Sequence, residues 1–201
     1  MICVCDSSAM KEFSLAAYID RTRKAIAEYS RWAKWFEVGN EIGGDWMGSD
    51  DVVAEKVSSA LNICRFAGVK TAVTWYLSGT FPGRSRSVVA TWNLPSDLAL
   101  YSWYPNYSPR YEPDWDDWFN LLAMKYPNAQ VGFGEFGGEP NPKTHIHRAN
   151  LIAKIYAIKP NCPRFIGGYF YWDTWLDVCG RHWTDVAAAL TANIPRVTLE
   201  P

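Results

Sequence analysis

Residues 36–76 read FEVGNEIGGDWMGSDDVVAEKVSSALNICRFAGVKTAVTWY and contain one complete strand–helix–strand unit. Phe36–Asn40 and Val69–Tyr76 are short runs rich in β-branched and aromatic residues, the composition of strands. Between them Asp50 and Asp51 open a helical pattern carrying Val53, Val57, Ala60, Leu61 and Cys64 near helical spacing. Gly68 stands just past its end, where a left-handed residue closes a helix. Two strands separated by a helix form a parallel unit, because parallel neighbours need a long crossover.

The same alternation runs outward in both directions. Ile2–Cys5 reads as a strand, and Ser14 can cap a helix carrying Leu15, Tyr18, Ile19, Ile26 and Tyr29. Ala99–Tyr104, Gln130–Phe136 and Phe165–Trp172 are further strands. Helices are expected from Asp114 to the stop at Pro127, from Asn141-Pro142 with Asn as cap and Pro at the first turn, and from about Thr184 to Asn193. Units repeating at roughly 30 residues predict an α/β protein with a parallel sheet, either doubly wound or a barrel. No G-x-G-x-x-G opens a helix after a strand, and Gly132-Phe133-Gly134 lies inside a strand with Glu135 after it. That disfavours a dinucleotide fold. No linker divides the chain, so residues 1–201 are expected to form a single domain.

Composition narrows the function. Lys+Arg is 20 and Asp+Glu is 21, a net charge of −1, which argues against a nucleic-acid partner. There is no run of 18 apolar residues, so no membrane span is expected. The start, Met1 to Asp6, lacks a basic stretch and an apolar core, so a cytoplasmic location is expected for the chain as written. The five cysteines, Cys3, Cys5, Cys64, Cys162 and Cys179, include no C-x-x-C pair and read as reduced core thiols, with a Cys162–Cys179 bridge as the alternative. His145 and His147, two apart near a helix start, point to different faces and read as surface residues, so no metal is expected. The chain holds 11 Trp, 11 Tyr and 9 Phe. Such rings offer an apolar face and a polar edge, as a sugar ring requires, although a Trp-rich core would use them equally.

The strand ends carry the chemistry. Glu41 closes Glu37-Val38-Gly39-Asn40-Glu41, Glu135 lies in Gly132-Phe133-Gly134-Glu135-Phe136-Gly137, and Trp172 closes Tyr169-Phe170-Tyr171-Trp172. In parallel α/β folds ligands sit at the C-terminal ends of strands, so two carboxylates and a Trp reach one rim. Two converging carboxylates suit glycoside hydrolysis; equally, strand-end acids can cap helices or pair with Arg. Trp46 and Trp75, at the ends of their strands, are the candidates for outer sugar subsites, whereas Trp32, Trp35, Trp115 and Trp118 read as packing residues. Glu37 shares the parity of Glu41 but lies about 13 Å lower at ~3.3 Å per residue, and is expected to be structural. His182, Asp173, Asp177 and Trp175 follow the last strand as secondary candidates, and Glu139 has no expected role.

Four segments in order resemble the retaining glycoside hydrolases with (β/α)8 barrels, the superfamily of cellulases, mannanases, xylanases and β-xylosidases. Phe36–Glu41 is similar to its fourth-strand motif, Leu100–Pro105 to the sixth, Val131–Gly137 to the seventh and Gly167–Trp172 to the eighth. The resemblance covers roughly residues 15–185. It implies Glu41 as acid/base, Glu135 as nucleophile, Asn40 on the sugar 2-hydroxyl, Tyr104 holding Glu135, and Trp172 as stacking platform. It implies a β-linked oligo- or polysaccharide substrate, carboxyl groups ~5–5.5 Å apart and no cofactor.

The family pattern places Asn-Glu on its fourth strand, yet only 41 residues lead up to Glu41. The expectation is therefore a TIM-barrel-like parallel fold truncated to about six strands, lacking the first two βα units. Exposed edges would then favour a homodimer. No counterpart of the family's second-strand arginine is found, and Ser102 stands where many members carry His. The alternatives are a non-catalytic carbohydrate-binding pseudoenzyme or a fragment of a larger barrel.

Overall fold

The computed structural model of the chain describes residues 1–77, 94–105, 113–137, 145–168, 170–171, 188 and 191–192, with the backbone alone at 145–148 and 170–171. Its strands are β1 (Ile2–Cys3), β2 (Trp35–Ile42), β3 (Lys70–Leu77), β4 (Leu98–Trp103), β5 (Gln130–Phe136) and β6 (Phe170–Tyr171). Its helices are α1 (Leu15–Tyr29), α2 (Asp50–Phe66), α3 (Trp115–Lys125) and α4 (His145–Ala157), with 3-10 turns at Ser7–Glu12 and Asp45–Met47. All five strand pairings are parallel, and the sheet runs β1-β2-β3-β4-β5-β6 in chain order. A doubly wound sheet reverses its order at a switch point; this one does not, which is the barrel-type winding. Among the described residues β1 and β6 end the sheet and no ladder joins them.

Local chemistry explains the elements. Ser14 caps α1, its hydroxyl accepting from Ala17 N at 3.2 Å. Asp114 caps α3 through Asp117 N at 3.1 Å. Gly68 ends α2 at φ +70°, a conformation a side chain would strain. Asp50 and Asp51 lie in the first turn of α2, where acidic groups favour the helix dipole, and the cap residue is Ser49. The helix expected from Asn141 begins at His145, residues 138–144 lying outside the described residues. Most of the expected 184–193 helix lies outside them too.

The sheet sorts its side chains by alternation. One face of the strands packs Phe36, Val38, Val73, Trp75, Tyr101, Trp103, Val131 and Phe133 against the helices in the main core. The other face encloses a smaller interior of Ala72, Leu98 and Leu100 beside Trp35. Burying a side chain such as Val, Leu or Phe contributes about 1.5–3 kcal/mol. Tyr18 of α1, fully buried, ties the helix layer to the sheet by donating to the Val38 carbonyl at 2.7 Å.

Expected and observed strands differ most at the last one. The continuous strand expected over Phe165–Trp172 is a bridge at Phe165 and a two-residue β6. Gly167 and Gly168 between them have φ of +82° and +83°, which breaks the extended run. The glycines allow an unusually close approach to β5: a Cβ on Gly132 would lie 2.6 Å from the Gly167 carbonyl oxygen. Because that obstacle is backbone, relief requires moving a strand. Gly132→Ala is therefore expected to cost about 2 kcal/mol or more, several degrees in Tm, by circular-dichroism melting. A variant that melts with the parent would show that the approach is not tight.

Candidate active site

Two irregularities in the sheet build the site. Between Glu37 and Ile42, β2 spends five residues while its partner β3 advances only from Ala72 to Trp75. The surplus breaks the alternation of β2. A Cβ on Gly39 would meet Ile42 and Val57, so it follows Val38 toward the helix layer. Asn40 and Glu41 then both turn to the opposite side, toward Ser7. Glu41 makes this possible by adopting φ +49°, the one positive φ outside glycine among the described residues. Such a backbone costs on the order of 1 kcal/mol or more in a non-glycine residue. A second irregularity lies between the Tyr101/Phe133 and Trp103/Phe136 pairs, where β5 carries the extra residue beside Glu135.

These shifts join six residues in one hydrogen-bonded chain. Ser7 Oγ donates to Glu41 Oε2 at 2.8 Å, and Ser7 N donates to Asn40 Oδ1 at 2.9 Å. Asn40 Nδ2 donates to Glu135 Oε1 at 3.1 Å. Tyr104 Oη donates to Glu135 Oε2 at 2.7 Å. Ser102 Oγ accepts from the Glu135 backbone N–H at 3.3 Å. Beneath this chain Glu37 is 5% exposed and accepts from Thr74 Oγ1.

The electrostatics follow from burial. Burial pushes the Glu41 carboxyl up to about 7, against the hydrogen bond from Ser7 and with help from the charges of Glu135, Asp6 and Glu37. Glu37 is likewise pushed up to about 7, by burial first and by Glu135 among its neighbours, while the Thr74 hydrogen bond opposes the rise. Burial and the charge of Glu135 raise the Tyr104 phenol, so it remains a donor. Among the described residues the ion pairs are Lys24–Asp20 and Lys70–Asp97, so no cation bridges Glu135. Nor do they include three His, Cys, Asp or Glu side chains grouped to hold a metal ion.

The structure separates the two expected tryptophans. Trp46, 37% exposed in the Asp45–Met47 turn, meets Tyr76 edge-on at 4.8 Å. Tyr76 in turn lies 6.5 Å from Tyr104, so an aromatic row leads outward from the carboxylates. Trp75 is a correction: it is 1% exposed in the main core, and its Nε1 donates to Tyr126 Oη at 3.0 Å. A ring on the helix side of β3 cannot line a sugar subsite. Trp172, with Asp173, Trp175, Asp177, Cys179 and His182, lies outside the described residues, as does Glu139. Cys3, Cys5, Cys64 and Cys162 are free thiols. Sequence reasoning missed Ser7 and Tyr76. Polar Asp6-Ser7 directly after β1 was a rim signal, and alternation with Thr74 placed Tyr76 inward.

No family model matches the sequence, and no curated protein does either. Among solved structures, the chain is similar to a GH128 (subgroup I) endo-β-1,3-glucanase from Amycolatopsis mediterranei, a variant in complex with laminaritriose and laminaribiose. The TM-score is 0.57 at 12% identity, over 94% of this chain and 81% of that one. The same glucanase with laminaritriose alone matches with TM-score 0.56 at 12% identity, over 90% and 80%. An FMN-binding β-glucuronidase from Facaelibacterium prausnitzii L2-6 matches with TM-score 0.54 at 13% identity, over 79% of this chain and 25% of that one. At these identities the likeness establishes a TIM-barrel-like fold shared with glycoside hydrolases.

Two buried carboxyls that titrate near 7 carry a stability consequence. In the unfolded chain they titrate near 4.3, so between about pH 4 and 7 the folded state holds protons that the unfolded state releases. Stability therefore falls as pH rises through that window. Glu37→Gln, which cannot ionise, is expected to lessen the fall, gaining roughly 1–3 kcal/mol on the parent at pH 8 relative to pH 5. Thermal melts of both proteins across pH check this, and parallel curves would contradict it.

Proposed function

We propose that the chain is a glycoside hydrolase that cleaves a β-linked oligo- or polysaccharide by double displacement. The observation that carries this reading is the hydrogen-bonded chain that holds Glu41 and Glu135 together, with Glu41 buried enough to keep its proton near neutrality. In the first step a Glu135 oxygen bonds to the anomeric carbon as the glycosidic bond breaks, and Glu41 gives its proton to the leaving oxygen. In the second, water attacks the same carbon, Glu41 takes a proton from that water, and the ester to Glu135 breaks. Asn40 holds Glu135 through its amide N–H, and the family resemblance assigns it the sugar 2-hydroxyl. Tyr104 holds the other Glu135 oxygen, and Trp46 with Tyr76 offers an aromatic wall to further sugar rings. Trp172 is assigned the stacking platform by the family resemblance. These steps draw on no metal or organic cofactor.

Laminari-oligosaccharides head the substrate panel, because the GH128 structures hold them. A second reading has one observation in its favour: no described cation accompanies Glu135 where related hydrolases carry an arginine. A site so altered would bind the sugar without cleaving it.

Reducing-sugar release from laminarin, β-glucans, mannans and xylans tests both. The parent is expected to release product from one of them, and Glu135→Gln and Glu41→Gln each to lose about 10³-fold or more while still melting cooperatively. Unchanged turnover in Glu135→Gln would overturn the mechanism. Saturable oligosaccharide binding without product would establish the binding reading instead.

A further inference from the structure

Ser7 reaches the carboxylates from outside the strands that carry them. It opens the Ser7–Glu12 turn after β1, is 4% exposed, and contributes two donors to two adjacent residues. The turn beneath it is held at three points. Asp6 caps it through Ser8 N at 2.8 Å, Lys56 of α2, itself 2% exposed, donates Nζ to the Met10 carbonyl at 3.0 Å, and the Met10 side chain is fully buried. A serine on so fixed a support presents its donors in one direction.

Each donor settles an orientation that the neighbour alone leaves open. An amide can be turned either way with little change of shape. The Ser7 N–H points at Asn40 Oδ1, and this turns Nδ2 toward Glu135. A carboxyl can carry its proton on either oxygen. The Ser7 hydroxyl donates to Glu41 Oε2, while Glu41 Oε1 is itself buried and has no hydrogen-bond partner among the described residues. An oxygen already accepting a proton is the poorer place for a second, so the transferable proton belongs on Oε1.

Resting on the hydrolase reading above, we propose that Ser7 is the positioning residue of the acid/base: its hydroxyl directs the transferable proton to Glu41 Oε1, and its N–H orients Asn40. Ser7 touches no reacting atom in this role. Among the described residues the acids that share the field at Glu41 are Glu135 of β5, Asp6 beside Ser7, and Glu37 of β2, and the neutral Tyr104 phenol feels the Glu41 charge as well. The Ser7 hydroxyl opposes their upward push by stabilising the Glu41 anion. Its loss must therefore raise the Glu41 titration further.

Ser7→Ala keeps the backbone donor and removes the hydroxyl. Two measurements follow it. Carbon-13 NMR of glutamate-labelled protein, with the Glu41 signal assigned through Glu41→Gln, reads the titration without any substrate; it is expected to move upward in Ser7→Ala. The kcat/KM values for aryl β-glycosides with poor and with dinitrophenyl leaving groups read proton delivery. A loss of about 10- to 100-fold is expected on the poor leaving group and little on the activated one, which needs no acid. Ser7→Thr, which retains a hydroxyl, is expected to stay near the parent in both. A Glu41 titration unmoved in Ser7→Ala overturns the assignment whether or not the protein hydrolyses anything, and so does an equal loss on both leaving groups. A parent that hydrolyses no glycoside would defeat the hydrolase reading, and the titration alone would then decide the part played by Ser7.

Discussion

Consecutive residues of a flat strand point to opposite faces. The site needs Asn40 and Glu41 to point the same way, and everything at the rim depends on how β2 escapes its own alternation. It does so with surplus residues against β3 and a left-handed Glu41. The glycine at position 39 lies on the helix side, where a side chain would collide with Ile42 and Val57. Without that irregularity either Asn40 or Glu41 would turn into the helix layer, and Ser7 could not address both. Strain located at the residues that converge, in a sheet otherwise regular at its base, is the pattern expected of a site that a fold supports at some cost.

The cost is also electrostatic. Glu37, Glu41 and Glu135 lie near enough to one another for each of the first two to feel the third, and no described cation offsets them. The fold manages this with neutral donors: Thr74 for Glu37, Ser7 for Glu41, Asn40 and Tyr104 for Glu135. Neutral donors localise a carboxylate without cancelling its charge, and so leave burial free to favour the protonated acid. A lysine or arginine in their place would hold all three as anions. The choice of donors thus keeps Glu41 able to hold a proton near neutral pH, at the expense of stability in alkali.

Much of this was legible in the sequence, for identifiable reasons. The βα repeat was readable because each unit carries its own cap, apolar periodicity and closing residue, as Ser14 and Gly68 show. Glu41, Glu135, Asn40 and Tyr104 were readable as strand-end residues, and the fold brings these four together. What was not legible depends on registers between strands. The surplus residues of β2 exist only relative to β3, and they also shorten the rise from Glu37 to Glu41 that a flat strand would give. The break at Gly167-Gly168 shows only once β5 approaches its backbone. Ser7 belongs to no periodic element, so its place after β1 is its sequence signal and its contacts show what it does.

Trp75 and Tyr76, adjacent at the end of β3, are separated by strand parity. In β3 the apolar residues Val73, Trp75 and Leu77 share one parity, while Ala72, Thr74 and Tyr76 share the other. A row of large apolar side chains on one parity belongs against the helices, and Thr74, the small polar residue opposite, marks the interior. Trp75 accordingly packs into the main core and satisfies its indole N–H on Tyr126. Tyr76, less conspicuous in a chain counted for its tryptophans, stands beside Trp46 and Tyr104. Aromatic abundance says that a chain has material for a sugar-binding wall. Strand parity says which rings are free to form it, and at this position parity reverses the choice that proximity to the strand end suggests.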